Sequence, residues 1–200
     1  LLSPILDRRT RVITLTAIRR TKRAPIRLVY VAYPLFGILP FGQDIIQTWT
    51  VPSIVAVLLG VYVVWGSGVL FTLNLLGDLG RAMPTVLTST VSGRQHVTAH
   101  VAAGALIGLP VALLVSALAG FASPLSMVET GALVAGATVG AIVAPALATG
   151  IGAAFPRFGS VRITSNREAV MPSKAAFVLY SLAIALPMAA AAVLYVESAP

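Results

Sequence analysis

The side chains that could carry out acid, base or nucleophilic chemistry are few. The chain has two histidines, His96 and His100, six acidic residues and no cysteine. Without cysteine there is no disulfide, no thiolate metal site and no cysteine nucleophile. Two histidines are too few to build a metal site without carboxylate ligands. We therefore predict that this chain has no catalytic residues, no metal and no cofactor of its own.

The composition indicates the surroundings in which the chain folds. Of its 200 residues, 58% are hydrophobic and 10% are charged, and the mean hydropathy is +0.94. A soluble domain has about 25% charged residues, so this chain lacks the polar groups that would cover a core in water. The composition excludes disorder and a water-soluble enzyme, and it predicts an all-α polytopic transmembrane helix bundle.

Uncharged runs predict where the helices cross the membrane. A helix needs about 20 apolar residues to cross the bilayer core. The predicted spans are about 28–46, 52–76, 100–121, 128–155 and 175–196. Prolines and Asp44 interrupt the first of them, so a short, kinked or partly re-entrant segment is an alternative there. Residues 1–27 are predicted to form a basic cytoplasmic segment, and residues 28–200 the transmembrane domain.

The positive charges predict the orientation of these spans. A net charge of +8 would suggest nucleic-acid binding in a soluble protein. Here all fourteen Lys and Arg residues lie in 1–27, between the second and third spans, or between the fourth and fifth. By the positive-inside rule these segments are cytoplasmic and the C-terminus is external. We therefore predict a multi-pass protein of the cell (plasma) membrane that contacts the lipid bilayer and no nucleic acid.

The N-terminal segment has two interpretations. Ile13, Leu15 and Ile18 are interspersed with Arg and Thr. This pattern fits an amphipathic helix on the anionic inner leaflet. It also fits a connector to a preceding span that is basic because it faces the cytoplasm. Because the chain begins with Leu1, we treat it as the C-terminal part of a longer protein.

The centres of spans two to five contain no Asp, Glu, Lys or Arg. Intramembrane ionisable residues mark proton relays and embedded catalytic centres. Their absence counts against a proton-coupled transporter, a membrane metalloprotease and a phospholipid-processing enzyme. Asp44 and Glu129 are expected to be solvated, and His100 to be an interfacial or capping group. A membrane serine protease would pair Ser67 or Ser116 with a histidine, and neither histidine is predicted at the matching depth.

Small residues recur in two of the predicted spans. Gly104 and Gly108 form a GxxxG pattern in span three. A stripe with four-residue spacing occupies span four: Ala132, Gly136, Gly140, Ala144, Ala148 and Gly152. Small residues let helix backbones approach in lipid, where no hydrophobic effect drives helix association. The pattern predicts packing within one bundle or, alternatively, a subunit interface.

The loop after span two has the character of a short surface helix. Met83, Val86, Leu87 and Val91 are apolar among polar neighbours, at spacings close to one helix face. Pro84 suits the first turn of such a helix, and Gly93 is expected to end the run. A short amphipathic helix here could dock a cytoplasmic partner. It could also be a connector at the membrane surface with no partner.

The residues of this loop carry a resemblance to a known family. The string GDLGRAMPTVLTSTVSGRQHVTAHVAAG resembles the stretch after the second core helix in membrane subunits of type-2 ABC exporters. The match is carried by ten residues: Asp78, Gly80, Arg81, Leu87, Thr88, Ser89, Val91, Ser92, Gly93 and Arg94. Thr90 stands where the family usually has proline.

A second cytoplasmic loop is similar to the same family. The string GIGAAFPRFGSVRITSNREAVMPSKAAF follows span four. The similarity is carried by Gly152, Phe155, Pro156, Arg157, Phe158 and Asn166. Gly159 stands where an acidic residue often follows in the family.

The resemblance implies a permease subunit whose energy comes from elsewhere. It implies a six-helix core, paired as a homodimer or with another permease, and driven by a separate ATP-binding cassette ATPase. The chain has no GxxxxGK[ST] pattern, so ATP is expected to bind the partner subunit. Segment 77–97 would receive the ATPase, with Arg81 and Arg94 either orienting the docking helix or only setting topology. The alternatives are a non-transporting scaffold or assembly protein and a secondary transporter.

Overall fold

The computed structural model describes residues 6–23, 33–164 and 167–198. The described chain is mostly helical, as the composition predicts. Its α-helices are α1 (Arg8–Arg23), α2 (Gly42–Thr48), α3 (Ser53–Val69), α4 (Leu75–Leu79), α5 (Met83–Leu87), α6 (Gly93–Phe121), α7 (Met127–Ala154) and α8 (Lys174–Ser198). Two 3-10 helices, Tyr33–Phe41 and Gly80–Ala82, complete the helical elements of the described ranges.

A small antiparallel hairpin interrupts the helical pattern. Strand β1 (Ser160–Thr164) pairs with β2 (Arg167–Val170), with Ser160 opposite Val170. The hairpin lies between α7 and α8, inside the loop that the sequence assigns to the cytoplasmic side. It is an exception to the predicted all-α class that the helical periodicity did not indicate.

Two helices in the described ranges, α6 and α7, are long and apolar enough to cross a membrane. They have 29 and 28 residues, so each is roughly 40 Å long at 1.5 Å per residue. The apolar helix α3 and the apolar part of α8, Lys174–Pro187, are shorter. The five-span topology therefore stays a prediction.

The burial pattern of α6 is the opposite of that in a water-soluble helix. Its buried residues are small: Ala99, Ala103, Gly104, Gly108, Ala112, Ser116, Ala119 and Gly120. Its exposed face carries the large apolar side chains Leu106, Ile107, Val111, Leu113, Leu114, Leu118 and Phe121. In water the larger side chains would be the ones buried. Small residues inside and large apolar residues outside are typical of helices that pack in lipid.

The core is formed where α3, α6 and α7 contact one another, with α8 added at one side. The ring of Trp65 meets that of Phe177 edge-on at a centroid distance of 5.6 Å. Trp65 Nε1 donates to Ser181 Oγ at 3.0 Å, and Tyr180 Oη donates to the Trp65 carbonyl at 2.9 Å. These bonds satisfy the polar atoms of buried aromatic residues and fasten α8 to α3.

The first predicted span, 28–46, is not one continuous helix in its described part. Residues 33–48 form the 3-10 helix Tyr33–Phe41 and then the seven-residue α2. Pro40 lies inside the 3-10 helix, and proline lacks the N–H that an α-helix needs. Residues 28–32 lie outside the described part of the chain.

The helices differ from two other predicted spans in where they begin or end. Span two was expected to reach residue 76, but α3 ends at Val69 and a turn follows. Span three was expected to begin at residue 100, but α6 begins at Gly93. The reason is a capping box, in which Ser92 accepts from the Gln95 N–H and Gln95 accepts from the Ser92 N–H. Gly93 therefore opens a helix, although it was expected only to end one.

The small-residue stripe of α7 is buried only in its second half. Ala144, Ala148 and Gly152 are buried, whereas Ala132 and Gly136 are exposed. Four residues advance a helix by about 400°, so a strict four-residue stripe drifts by about 40° per step. The buried face is instead continued toward the N-terminus by Ala141 and Ala137, so packing inside the described chain uses the second half of the stripe.

Candidate functional site

The first loop with family-like residues is a compact series of turns. Residues 70–74 turn away from α3, and α4, a 3-10 turn and α5 follow without a break. Gly80 has φ +44° and ψ −122°, a conformation that favours glycine because it has no Cβ. Asp78 and Arg81 flank this turn, with Asp78 half-buried. The backbone conformation at position 80 therefore favours glycine over any residue with a side chain.

Helix α5 is shorter than the predicted docking helix. It covers Met83–Leu87, and Pro84 lies in its first turn as predicted. Pro84, Thr85 and Thr88 are exposed. Thr88 is the C-cap of the helix, and its hydroxyl donates to the Pro84 carbonyl at 3.0 Å. Val91 lies beyond the helix. Thr85 is therefore the exposed polar residue of α5 among those whose side chains are described.

The start of the N-terminal helix α1 forms hydrogen bonds with the end of this loop. The Arg9 guanidinium donates to the Thr90 carbonyl at 2.8 Å, and Gln95 Nε2 donates to Asp7 Oδ2 at 3.2 Å. Asp7 also caps α1 by accepting from the backbone N–H of Arg9. Hydrogen bonds from Thr10, first through its side chain, and from the Arg9 backbone lower the pKa of Asp7 below its usual value.

Helix α1 packs on α6 through threonine. Its buried residues are Thr10, Thr14, Ala17 and Thr21, at helical spacing. The Thr14 hydroxyl lies 2.9 Å from its own helix's Thr10 carbonyl and 3.1 Å from the Ala99 carbonyl of α6. The described part of residues 1–27 is therefore a helix whose face against the protein combines threonines with Ala17, and both interpretations of the segment stay predictions.

The second loop with family-like residues begins directly after α7. Phe155, Pro156 and Phe158 are exposed, and Arg157 is half-buried. The Ser173 hydroxyl donates to the Phe155 carbonyl at 2.7 Å, which joins the two ends of the loop. Asn166 lies outside the described residues.

Asn74 brings the two loops together. Its Nδ2 donates to the carbonyls of Arg157 at 3.0 Å and Met171 at 3.2 Å, and its Oδ1 accepts from the Arg157 N–H at 3.1 Å. Asn74 is 4% exposed, so its amide is satisfied entirely by the second loop. A Cβ at Gly77 would collide with the Arg157 carbonyl and the Asn74 amide. Sequence reasoning missed Asn74, although a lone Asn that ends an apolar run was a usable signal.

The structure brings only some of the predicted site residues to the Asn74 junction. Asp78 reaches the junction, where it lines a small cavity of about 30 Å³ together with Asn74 and Met171. Ser92 is the N-cap of α6, and Arg94 is exposed in its first turn. Leu87 is the last residue of α5. One end of the bundle holds both predicted loops, but the named residues do not converge on one point.

The glycines predicted to pack helices have different neighbours. A Cβ at Gly104 would lie 2.8 Å from the Ser67 carbonyl oxygen, and one at Gly108 would lie 2.5 Å from Ser67 Cβ. At Gly152 a Cβ would collide with the Leu73 carbonyl, and at Gly140 it would lie 2.6 Å from a Val64 methyl. Gly136 has no neighbour within 4 Å of that position. Gly104, Gly108 and Gly140 thus mark close contacts with α3, and Gly152 marks a close contact with the turn after α3.

Within the described ranges, no group of three His, Cys, Asp or Glu side chains could hold a metal ion. Comparisons with protein-family models, with curated proteins and with solved structures give no match for this chain. The resemblance to type-2 ABC exporters rests on the two loop motifs.

Proposed function

We propose that this chain is the membrane-spanning permease subunit of an ATP-driven ABC exporter. Segment 77–97 would contact a separate ATPase, which binds the ATP. The supporting observation is the Asn74 junction, which holds the two loops with family-like residues at one end of the bundle. The apolar outer face of α6 supports a place in the membrane.

The proposed orientation follows the charges. We place the five predicted spans in the plasma membrane, with the basic loops in the cytoplasm and the C-terminus outside. A second permease chain, identical or different, would complete the transport path. The ATPase would then bind at the end of the bundle that carries α5 and the hairpin.

The proposed mechanism transmits force through packed backbone. An ATPase that moves α5 would also move residues 70–79, since the segment is continuous. Asn74 would pass that motion to the loop after α7, and the close contact of Gly152 with Leu73 would pass it to α7 itself. Such transmission requires elements with two alternative arrangements and no charged pathway.

Thr85 offers a direct test because it is exposed on α5. A photo-crosslinking amino acid at Thr85 should capture a protein that binds azido-ATP, whereas the same probe at exposed Thr98 of α6 should not. Thr85→Asp and Leu87→Asp should each reduce ATP-dependent export about tenfold or more and leave membrane insertion intact. Thr98→Asp is the matched control.

The outcomes separate the proposal from its alternatives. Full transport and an intact ATPase complex in Thr85→Asp and Leu87→Asp would overturn the docking surface. Transport that follows an ion gradient in the absence of any ATPase would identify a secondary transporter. Partner capture without any transport would identify a scaffold.

A further inference from the structure

A cavity of about 200 Å³ lies between α1, residues 79–91 and the start of α6. Its apolar wall includes Val12, Ile13 and Val86, and its polar wall includes Arg20, His96 and His100. Val12 is 56% exposed, so the cavity opens to the surface beside α1. An apolar cavity of about 150 Å³ already holds a molecule the size of benzene, so this cavity can take part of a larger ligand.

The polar wall of this cavity favours a negative charge. Among the described residues, the titratable side chains that line it are Arg20, His96 and His100, and none of them is acidic. The nearby carboxylate of Asp7 is hydrogen-bonded to Gln95 and to the first turn of α1. A cation would therefore be repelled by Arg20, whereas a phosphate or carboxylate could form charge-assisted hydrogen bonds.

One polar atom in this wall lacks a partner. His96 Nε2 is buried and is the single buried side-chain nitrogen or oxygen without a hydrogen bond among the described residues. The neighbouring His100 ring is held by its Nδ1, which donates to the His96 carbonyl at 2.9 Å. The two ring centroids are 4.5 Å apart. Because a buried unpaired polar atom is costly, a small shift of the His96 ring that exposes Nε2 to a ligand oxygen in the cavity would be favourable.

We propose that this cavity binds one anionic phospholipid. Its phosphate contacts Arg20 and His96, and the first part of one acyl chain lies along Val12, Ile13 and Val86. The rest of the chain leaves through the opening beside exposed Val12 and Leu15. Charge complementarity selects the anionic headgroup, and the apolar wall selects a lipid over a free anion. The proposal goes beyond the permease role and does not require an ATPase.

Native mass spectrometry of the purified full chain tests this site with defined lipids. We expect one phosphatidylglycerol to remain bound when phosphatidylcholine is lost. Arg20→Gln and His96→Leu should each weaken phosphatidylglycerol binding about tenfold, as expected for the loss of a hydrogen bond to a charged group. Arg19→Gln is the matched control, because Arg19 is exposed on the same helix and does not line the cavity.

A second variant separates lipid binding from simple charge attraction and from misfolding. Val12→Trp keeps every charge but fills the apolar part of the opening, so it should weaken phosphatidylglycerol binding and leave protein stability unchanged. Equal losses in Arg19→Gln and Arg20→Gln would overturn the proposal, as would equal retention of phosphatidylcholine. Binding of inorganic phosphate with no preference for phosphatidylglycerol would also overturn it, because the site would then take a free anion.

Discussion

Helix α6 is held by different means along its two halves. Near its start, α1 contacts it through the Thr14 hydroxyl at the Ala99 carbonyl. Further along, Gly104 and Gly108 let α3 approach so closely that a Cβ would collide with Ser67. The start of α6 is held by hydrogen bonds between side chain and backbone. The part further along is held by the close approach of two helix backbones.

The difference follows from what surrounds each half. Around α1 the exposed residues include arginines, so water is present and a polar contact competes with it. Its net contribution is then about 1 kcal/mol per hydrogen bond. Along the second half the exposed side chains are large and apolar, and close packing of small residues supplies the attraction. Disrupting close backbone packing should therefore lower the free energy of unfolding more than removing one hydrogen bond does.

The largest expected effect comes from a side chain added at Gly152. Gly152→Val should destabilise the folded chain by about 3 kcal/mol or more, because the new atoms collide with the Leu73 carbonyl and a backbone cannot yield as a side chain can. The free energy of unfolding in detergent, measured by titration with SDS, checks this value.

Gly150→Val is the matched control for Gly152→Val. It lies two residues before Gly152 on the same helix, but it is exposed and has no neighbour within 4 Å of an added Cβ. Its unfolding free energy should change by less than about 0.5 kcal/mol. Equal losses in the two variants would mean that the close approach of Gly152 to the Leu73 backbone is not what makes Gly152→Val destabilising.

Asn74 should give the next largest effect. Asn74→Ala removes three hydrogen bonds and leaves the Arg157 N–H and two carbonyls unpaired in a partly buried place. We expect a loss of about 2 kcal/mol and faster cleavage by trypsin after Arg157. Gln43→Ala removes an exposed amide and should change neither quantity. Unchanged proteolysis in Asn74→Ala would show that the loops are joined by other contacts.

The smallest effect is expected at the contact of α1 with α6. Thr14→Val keeps the side-chain shape and removes the hydroxyl at the Ala99 carbonyl, so the unfolding free energy should fall by about 1 kcal/mol. Thr16→Val removes a hydroxyl that bonds only within α1, at the Val12 carbonyl, and is exposed. A loss in Thr16→Val as large as that in Thr14→Val would assign the effect to α1 alone.

The long apolar helices could be predicted from the sequence with small errors. The predicted spans 128–155 and 175–196 correspond to helices Met127–Ala154 and Lys174–Ser198. The length of an apolar run is a local property, so it can be read without knowing the partners. The same holds for Pro84, whose place in the first turn of α5 follows from its missing N–H.

The contacts that assemble the candidate site could not be predicted in the same way. Thr10, Thr14 and Thr21 look like a polar surface in the sequence, yet they form a buried face. The partners of Asn74 are main-chain atoms of a distant segment, so residue types do not reveal them. The capping box at Ser92 was readable, and recognising it would have corrected the start of α6.

The Asn74 junction also constrains the order in which the molecule is completed during synthesis. Asn74 is separated from Arg157 by 83 positions and from Met171 by 97. At roughly 5–20 residues per second, Arg157 emerges roughly 4 to 17 s after Asn74. Throughout this interval Asn74 has no native partner, so water, lipid headgroups or the insertion machinery must solvate its amide. The junction therefore closes late in biogenesis, after α6 and α7 have been made.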